Sequence, residues 1–305
     1  MYTVNEWNPL ESIVVGIADY ANWPATDPVF AEEGKKTTWK ETAVPSGPVP
    51  QNIIDEANRE LDLLSETLVR YGATVHRPRP MNFVETEGMY NYCPRDRLLV
   101  WKDTVVDVNM MYPCRNQEIN NYDRVLEQAG RVITMPRDLG MVLDAANVCR
   151  MGDTWLFLES ASGNQMAYKW LCEQFPTVTI ELCNFYAGVH IDSTIVPLRE
   201  GTVLLNASRV NKDNCPRVFD YWEKIWITDE MIIPQTFYQY PYASKWIAMN
   251  MLSLDPETVI IDSDQTHLIP LLKKIGIDSI PMKLSHSRTL GGGFHCVTLD
   301  LRRQG

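Results

Sequence analysis

The run Thr289-Leu290-Gly291-Gly292-Gly293-Phe294-His295-Cys296-Val297-Thr298-Leu299-Asp300 carries the densest chemistry in the sequence. Three glycines allow positive φ and close backbone approach to a ligand. Cys296 follows them and opens an apolar strand, which sets a thiol at the mouth of a glycine loop, where a nucleophile is useful. A buried cysteine beginning a strand, with the glycines serving a tight turn, is the bland alternative. A phosphate loop is excluded, because no Gly-Lys-Ser/Thr follows and the next element is a strand.

A cysteine nucleophile needs a proton-shuttling partner. The chain has five histidines: His76, His190, His267, His286 and His295. His190 lies in Gly188-Val189-His190-Ile191-Asp192, and in an extended segment His190 and Asp192 point to one side. His295 adjoins Cys296 and would face away from it on a strand, which makes it the weaker partner. Asp144, in Leu143-Asp144-Ala145-Ala146-Asn147, sits among apolar and small residues, so it is expected to be partly desolvated and to need a histidine or a cation. Asp96, in Pro94-Arg95-Asp96, reads on its own as a solvated turn acid.

These residues are embedded in alternating short strands and helices. Strand-like runs are Ser12–Gly16, Leu98–Trp101, Thr104–Val108, Trp155–Leu158, Thr177–Leu182, Thr194–Leu198, Thr202–Leu205, Val259–Asp262, Ser279–Met282 and Cys296–Leu301. Lys102-Asp103 suits a tight hairpin. Ile53, Ile54, Ala57, Leu61, Leu64, Leu68 and Tyr71 form one helical stripe, ended by Gly72. Asn164–Phe175, Tyr242–Leu252 and Thr266–Gly276 are expected helices, the last with Ser263 and Asp264 as caps. The class is α/β with mixed sheets, and several packets share the order strand, strand, helix, strand. The proline-rich stretch Trp23–Gln51 reads as one long surface loop.

The 305 residues carry 28 Lys and Arg against 39 Asp and Glu, a net charge of −11. That disfavours nucleic acid and anionic membrane as partners. Apolar residues make up 45% and charged residues 22%, with no run long enough to span a bilayer. Seven cysteines without CxxC spacing argue against a disulfide framework and against a zinc site. The N-terminus has neither a basic nor an apolar targeting region, so a cytoplasmic protein is expected.

The block Leu290–Arg303 resembles the C-terminal catalytic motif of the arginine amidinotransferases, of which glycine amidinotransferase is the best-known member. Further blocks are similar in order and spacing: Asn5–Glu11, Gly88–Asp96, Asp144-Ala145-Ala146, His190-Ile191-Asp192, and Ser244-Lys245-Trp246 with Met249-Asn250. The resemblance covers nearly the whole chain. It implies the pentein fold, a five-bladed pseudo-fivefold α/β propeller of ββαβ units over residues 1–305 with a central active site. It implies transfer of the amidino group of L-arginine to an acceptor amine by a ping-pong route through an amidino-cysteine, releasing ornithine, with no cofactor and no metal.

On this resemblance the catalytic set is Cys296, His190 and Asp144. Asp96 and Asp192 grip the guanidinium, and Arg209 with Ser244 holds the donor's α-carboxylate. Arg115 and Glu118 fall in a family block without an assigned role. Asn147 stands where glycine amidinotransferase has a second acid, and Tyr186-Ala187-Gly188-Val189 replaces a segment with Asn-Pro-Met, which points to an acceptor other than glycine. Ile191–Arg199 looks closer to bacterial members that build guanidino natural products. The partners are small molecules, and a homodimer is left open because related enzymes are often dimers. A hydrolase of the same fold, of the arginine deiminase kind, is the alternative.

Overall fold

The computed structural model describes residues 1–36, 45–186, 188, 190–238 and 241–305. Its strands form five three-stranded sheets of one pattern, plus a two-stranded ribbon. In each sheet an antiparallel pair is extended by a third strand parallel to one of them. Leu98–Trp101 and Thr104–Asp107 pair antiparallel, and Arg131–Thr134 adds in parallel to the second. Val148–Met151, Thr154–Leu158 and Thr179–Cys183 repeat the pattern. So do Ile195–Arg199, Thr202–Asn206 and Glu223–Ile227, and Leu252–Asp255, Thr258–Asp262 and Asp278–Met282.

The fifth sheet joins the two ends of the chain. Leu10–Val15 pairs antiparallel with Thr298–Arg303 and parallel with Thr74–His76. The hairpin of this unit is therefore split between the termini, and the last strand, which starts two residues after Cys296, is held by the first.

Turn chemistry explains the hairpins. Gly152 and Gly201 take φ of +70° and +83° in the tight links, and Lys102 takes φ +52° in the corresponding place. The expected helix with the apolar stripe spans Gln51–Tyr71, burying Ile53, Ile54, Ala57, Leu61, Leu64 and Leu68. Gly72 ends it in the left-handed region at φ +104°. Tyr71, counted in the stripe, is exposed instead. The helix Gln165–Gln174 begins at Asn164, whose side chain accepts the Ala167 N–H at 3.0 Å.

Several expectations are corrected. Tyr242–Leu252 holds only a 3₁₀ turn, Lys245–Met249, followed by the strand Leu252–Asp255. The helix expected at Thr266–Gly276 spans Leu268–Lys274 and has no side-chain cap from Ser263 or Asp264. Cys296 does not open the last strand, which starts at Thr298. Within Trp23–Gln51, Asn22–Trp23 pairs with Gly47–Pro48 and a helix spans Pro28–Lys36; residues 37–44 lie outside the described residues. Phe30 from this segment is fully buried against Tyr112 and Tyr242, so the segment walls the interior rather than looping over the surface.

Apolar clusters pack between sheets and crossovers, but a polar network is buried among them. Arg150 binds Glu6 at 2.9 and 3.0 Å and Asp300 at 3.0 Å. Arg303 donates to Asp300 at 3.0 Å, and Arg95 pairs with both carboxylates. Charges buried this deeply persist only because each is paired and hydrogen-bonded. Among the described residues no helix is long and apolar enough to cross a membrane.

Candidate active site

All seven residues singled out for binding and catalysis line one cavity of about 300 Å³: Asp96, Asp144, His190, Asp192, Arg209, Ser244 and Cys296. They come from six separate segments, most of them turns at the ends of strands.

Cys296 is buried, and its N–H donates to Asn250 Oδ1 at 2.9 Å. The three glycines before it have distinct reasons. Gly291 has φ +86°, and a Cβ there would meet the Tyr242 ring at 2.2 Å. A Cβ on Gly292 would lie 2.5 Å from Cys93 Sγ and 3.2 Å from Cys296 Cβ, and one on Gly293 would lie 2.8 Å from Asn250. Only Gly291 uses positive φ; the other two make room for the residues that hold Cys296. The glycines thus serve packing around the thiol, and Gly291 also lines the cavity.

The Cys296 thiol donates to Asp192 Oδ2 at 3.1 Å. Burial, then the charges of Asp192 and Asp96, push its pKa well up, so the group at rest is a thiol. Asp192 itself is brought down to about 2: burial opposes its charge, but hydrogen bonds and cations from His295 and His190 outweigh burial. Residues 191–193 form a 3₁₀ turn rather than the extended segment expected, yet His190 and Asp192 both face the cavity.

His190 stands between two acids. Its Nε2 is 3.0 Å from Asp144 Oδ2 and its Nδ1 is 3.6 Å from Asp96 Oδ1. Asp144 is fixed from behind by the Met111 N–H at 2.8 Å. Burial alone would lower the imidazole pKa, but Asp96 and Asp144 raise it to about 9. The resting pair is therefore a thiol and an imidazolium. A His190 nitrogen, an Asp96 oxygen and Cys296 Sγ lie within 4.8 Å of one another, a spacing a metal ion could also use. With both ring nitrogens directed at carboxylates, the imidazolium has no lone pair for one.

Asp96 is buried, not the solvated turn acid its local sequence suggested. Its Oδ2 accepts from Arg115 Nη1 at 2.9 Å, and Arg115 is held by Glu118 at 2.8 and 3.1 Å. Its Oδ1 has no hydrogen-bond partner. An orphaned carboxylate oxygen facing a cavity is costly unless a ligand satisfies it, and a guanidinium N–H suits it.

Arg209 forms no ion pair among the described residues. It donates to Thr194 Oγ1 at 2.8 Å and Ser193 Oγ at 3.2 Å, reaches Ser244 Oγ at 3.5 Å and stacks on the Tyr186 ring. That leaves positive charge and hydroxyls together on the cavity wall, a donor set that suits an anion. Gly188 lines the cavity, and a Cβ there would meet the Tyr186 ring at 1.8 Å, so Tyr186 fills the space beside it. Ala187 and Val189 lie outside the described residues. Asn147 is buried and donates to Ser162 Oγ at 2.8 Å.

Sequence reasoning gave no role to Asn250, Arg115, Glu118 or Tyr186. Asn250 and Arg115 had a signal in their motif blocks, but their partners are remote in sequence. His295 does not line this cavity, as expected of a residue facing away from Cys296, yet it hydrogen-bonds Asp192.

No family model matches the sequence. Inosamine-phosphate amidinotransferase 1 of Streptomyces glaucescens is 39% identical, over 99% of this chain and 96% of that protein. The chain belongs to the amidinotransferase family. An inosamine-phosphate amidinotransferase from Streptomyces griseus has a solved structure that superposes with a TM-score of 0.93, at 38% identity, covering 100% of this chain and 97% of the other. More distant members include an L-arginine:L-lysine amidinotransferase of Pseudomonas savastanoi at 29%, over 98% of this chain and 93% of that protein, and chicken mitochondrial glycine amidinotransferase at 26%, over 99% and 82%. A dimethylarginine dimethylaminohydrolase from Pseudomonas aeruginosa, at 14% identity and a TM-score of 0.68 over 96% of this chain and 99% of the other, shares the fold alone. The α/β architecture of several small sheets is thus that of the amidinotransferases, and this protein is an amidinotransferase.

Proposed function

We propose that this amidinotransferase takes the amidino group from L-arginine and passes it to an amine through an amidino adduct on Cys296. The observation that carries the reading is the convergence of the Cys296 thiol, the His190 imidazolium and the unsatisfied Asp96 oxygen in one cavity. Asp96 and Asp192 grip the guanidinium by charge-assisted bonds. The bound cation offsets the two carboxylates that hold the thiol protonated, so the thiol releases its proton to solvent and becomes a nucleophile.

The thiolate attacks the guanidino carbon. The bond from that carbon to the δ-nitrogen breaks as His190 delivers its proton there, and ornithine leaves. The acceptor amine then attacks the amidino carbon, His190 takes the amine proton, and the carbon–sulfur bond breaks to restore the thiolate. Asp144 acts through His190, fixing the ring and stabilising its charge. Arg209 and Ser244 bind the donor's α-carboxylate. The acceptor is an amine larger than glycine that bears an anionic group; inosamine phosphate, named for the Streptomyces relatives, is the first candidate to test. The chain acts as one unit of residues 1–305, with its five sheets around one axis and the cavity at the centre. It works on small molecules in the cytoplasm without a cofactor.

The test is intact-protein mass spectrometry after arginine treatment. The wild type should gain one amidino group, mapping to Cys296, and Cys296→Ser should gain none and lose turnover. An adduct on Cys114 or Cys149 overturns the assignment. Citrulline and ammonia released from arginine alone would mean that a terminal nitrogen leaves, the bond to the δ-nitrogen is kept and water displaces the thiolate, the hydrolase reading.

A further inference from the structure

His295 takes no part in the chemistry proposed above, yet both of its ring nitrogens face carboxylates. Nδ1 lies 2.8 Å from Asp192 Oδ2, and Nε2 lies 3.2 Å from Glu6 Oε2. Asp192 Oδ2 is also the oxygen that accepts the Cys296 thiol. A neutral imidazole has one N–H, so it would turn a lone pair on one of its two carboxylates; a doubly protonated ring satisfies both. Glu6 is an unsuitable source of the missing proton, because Arg150 already binds it twice, at 2.9 and 3.0 Å.

From this geometry we infer that His295 is a positioning residue: a persistently protonated imidazolium that holds Asp192 ionised and turned toward the cavity, ready to bind the donor's guanidinium. The inference rests on the arginine-donor reading. Asp192 shares the cavity with Asp96, and a second carboxylate in one cavity favours protonation; His295 opposes that at Asp192.

The surrounding charges agree in sign. Asp192 and Glu6 stabilise the imidazolium, while burial and Arg95, whose Nε donates to the His295 carbonyl at 3.4 Å, oppose it. The balance raises the His295 pKa above its ordinary value. Asp192 in turn faces His190 and the Cys296 thiol, and Cys296 faces Asp96 and Cys93.

Two measurements test this, and the first does not depend on arginine. ¹⁵N NMR of histidine-labelled protein at pH 7.5, with His295 assigned by its loss in His295→Asn, should show both ring nitrogens of His295 at imidazolium shifts. A neutral-ring pattern overturns the inference whatever the substrate is. The second is arginine binding by calorimetry in a Cys296→Ala background, from pH 8 to pH 5. The affinity of Cys296→Ala should change less than threefold across this range. Adding His295→Asn, which can keep a hydrogen bond but not the charge, should weaken binding at least tenfold more at pH 5 than at pH 8. Parallel curves overturn the inference. Should the Asn variant fail to fold, His295→Gln carries the same expectation. If Cys296→Ala alone binds no arginine while His295 is an imidazolium, the donor assignment has failed and the clamp on Asp192 stands.

Discussion

His190 Nε2 meets Asp144 Oδ2 at 3.0 Å across 46 residues of sequence, and the other Asp144 oxygen is tied to the Met111 N–H at 2.8 Å. The acid is thus fixed before it fixes the imidazole. Asp144→Asn keeps both contacts in outline and removes the charge. It should leave circular dichroism unchanged and lower kcat by about 10²- to 10⁴-fold, as acid-to-amide changes do in nucleophile–His–acid sites. Near-wild-type kcat in that variant would remove the orienting role.

The raised pKa of His190, about 9, sets a pH expectation. The imidazolium is the form that protonates the departing amine, so kcat at saturating arginine, whose bound cation has already drawn off the thiol proton, should hold through neutral pH and fall above about 9. In Asp144→Asn the fall should begin at lower pH, because one of the two raising charges is gone. The stability sign is the same: a folded pKa above the ordinary 6.5 adds stability that is full below about 6.5 and disappears as pH rises through about 9. Rate profiles and thermal melts across pH 6–10 check both; a basic limb that ignores Asp144→Asn would count against the pairing.

Gly292→Ala should injure catalysis more than stability. The new Cβ would fall 2.5 Å from Cys93 Sγ and 3.2 Å from Cys296 Cβ, so the nucleophile's own backbone must shift. A displacement of this kind is expected to cost about 100-fold in kcat. Gly152→Ala is the comparison: φ is +70° there, with open space around the site. It should cost about 1 kcal/mol of stability and leave kcat within twofold. Similar kcat values for the two variants would show that Gly292 does not place Cys296.

Glycine should be a poor acceptor. Arg209, Ser193 and Ser244 bring positive charge and hydroxyls together on the cavity wall, where an anion is proposed to bind, while Tyr186 occupies the space beside Gly188. An acceptor that spans from the Cys296 adduct to that site uses both, and glycine is short for it. With arginine as donor, kcat/KM for inosamine phosphate should exceed that for glycine at least tenfold, with lysine, β-alanine and taurine as further comparisons. A tenfold advantage for glycine reverses the assignment of acceptor class.

Local sequence was sufficient for the parts of this protein that depend on local chemistry. The stripe from Ile53 to Leu68 set its helix, and the paired apolar runs around Lys102-Asp103 set a hairpin; the family resemblance pointed to Cys296, His190 and Asp144, which the fold brings to one cavity. It failed where an element is held by its neighbours. Arg131–Thr134 and Glu223–Ile227 are edge strands with weak patterns of their own, formed by parallel pairing to a stronger strand. Leu252–Asp255 was hidden by the apparent helical run from Tyr242, because apolar spacing in a short segment does not separate a 3₁₀ turn and a strand from a helix. Tertiary structure alone decided the electrostatics. Asp96 looks like a turn acid until Arg115 and Glu118 are packed behind it, and His295 looks misdirected until Asp192 and Glu6 arrive from remote parts of the chain. A side chain's type is written at its own position, but its charge state and aim are set by burial and by partners that only the closed fold brings within hydrogen-bonding distance.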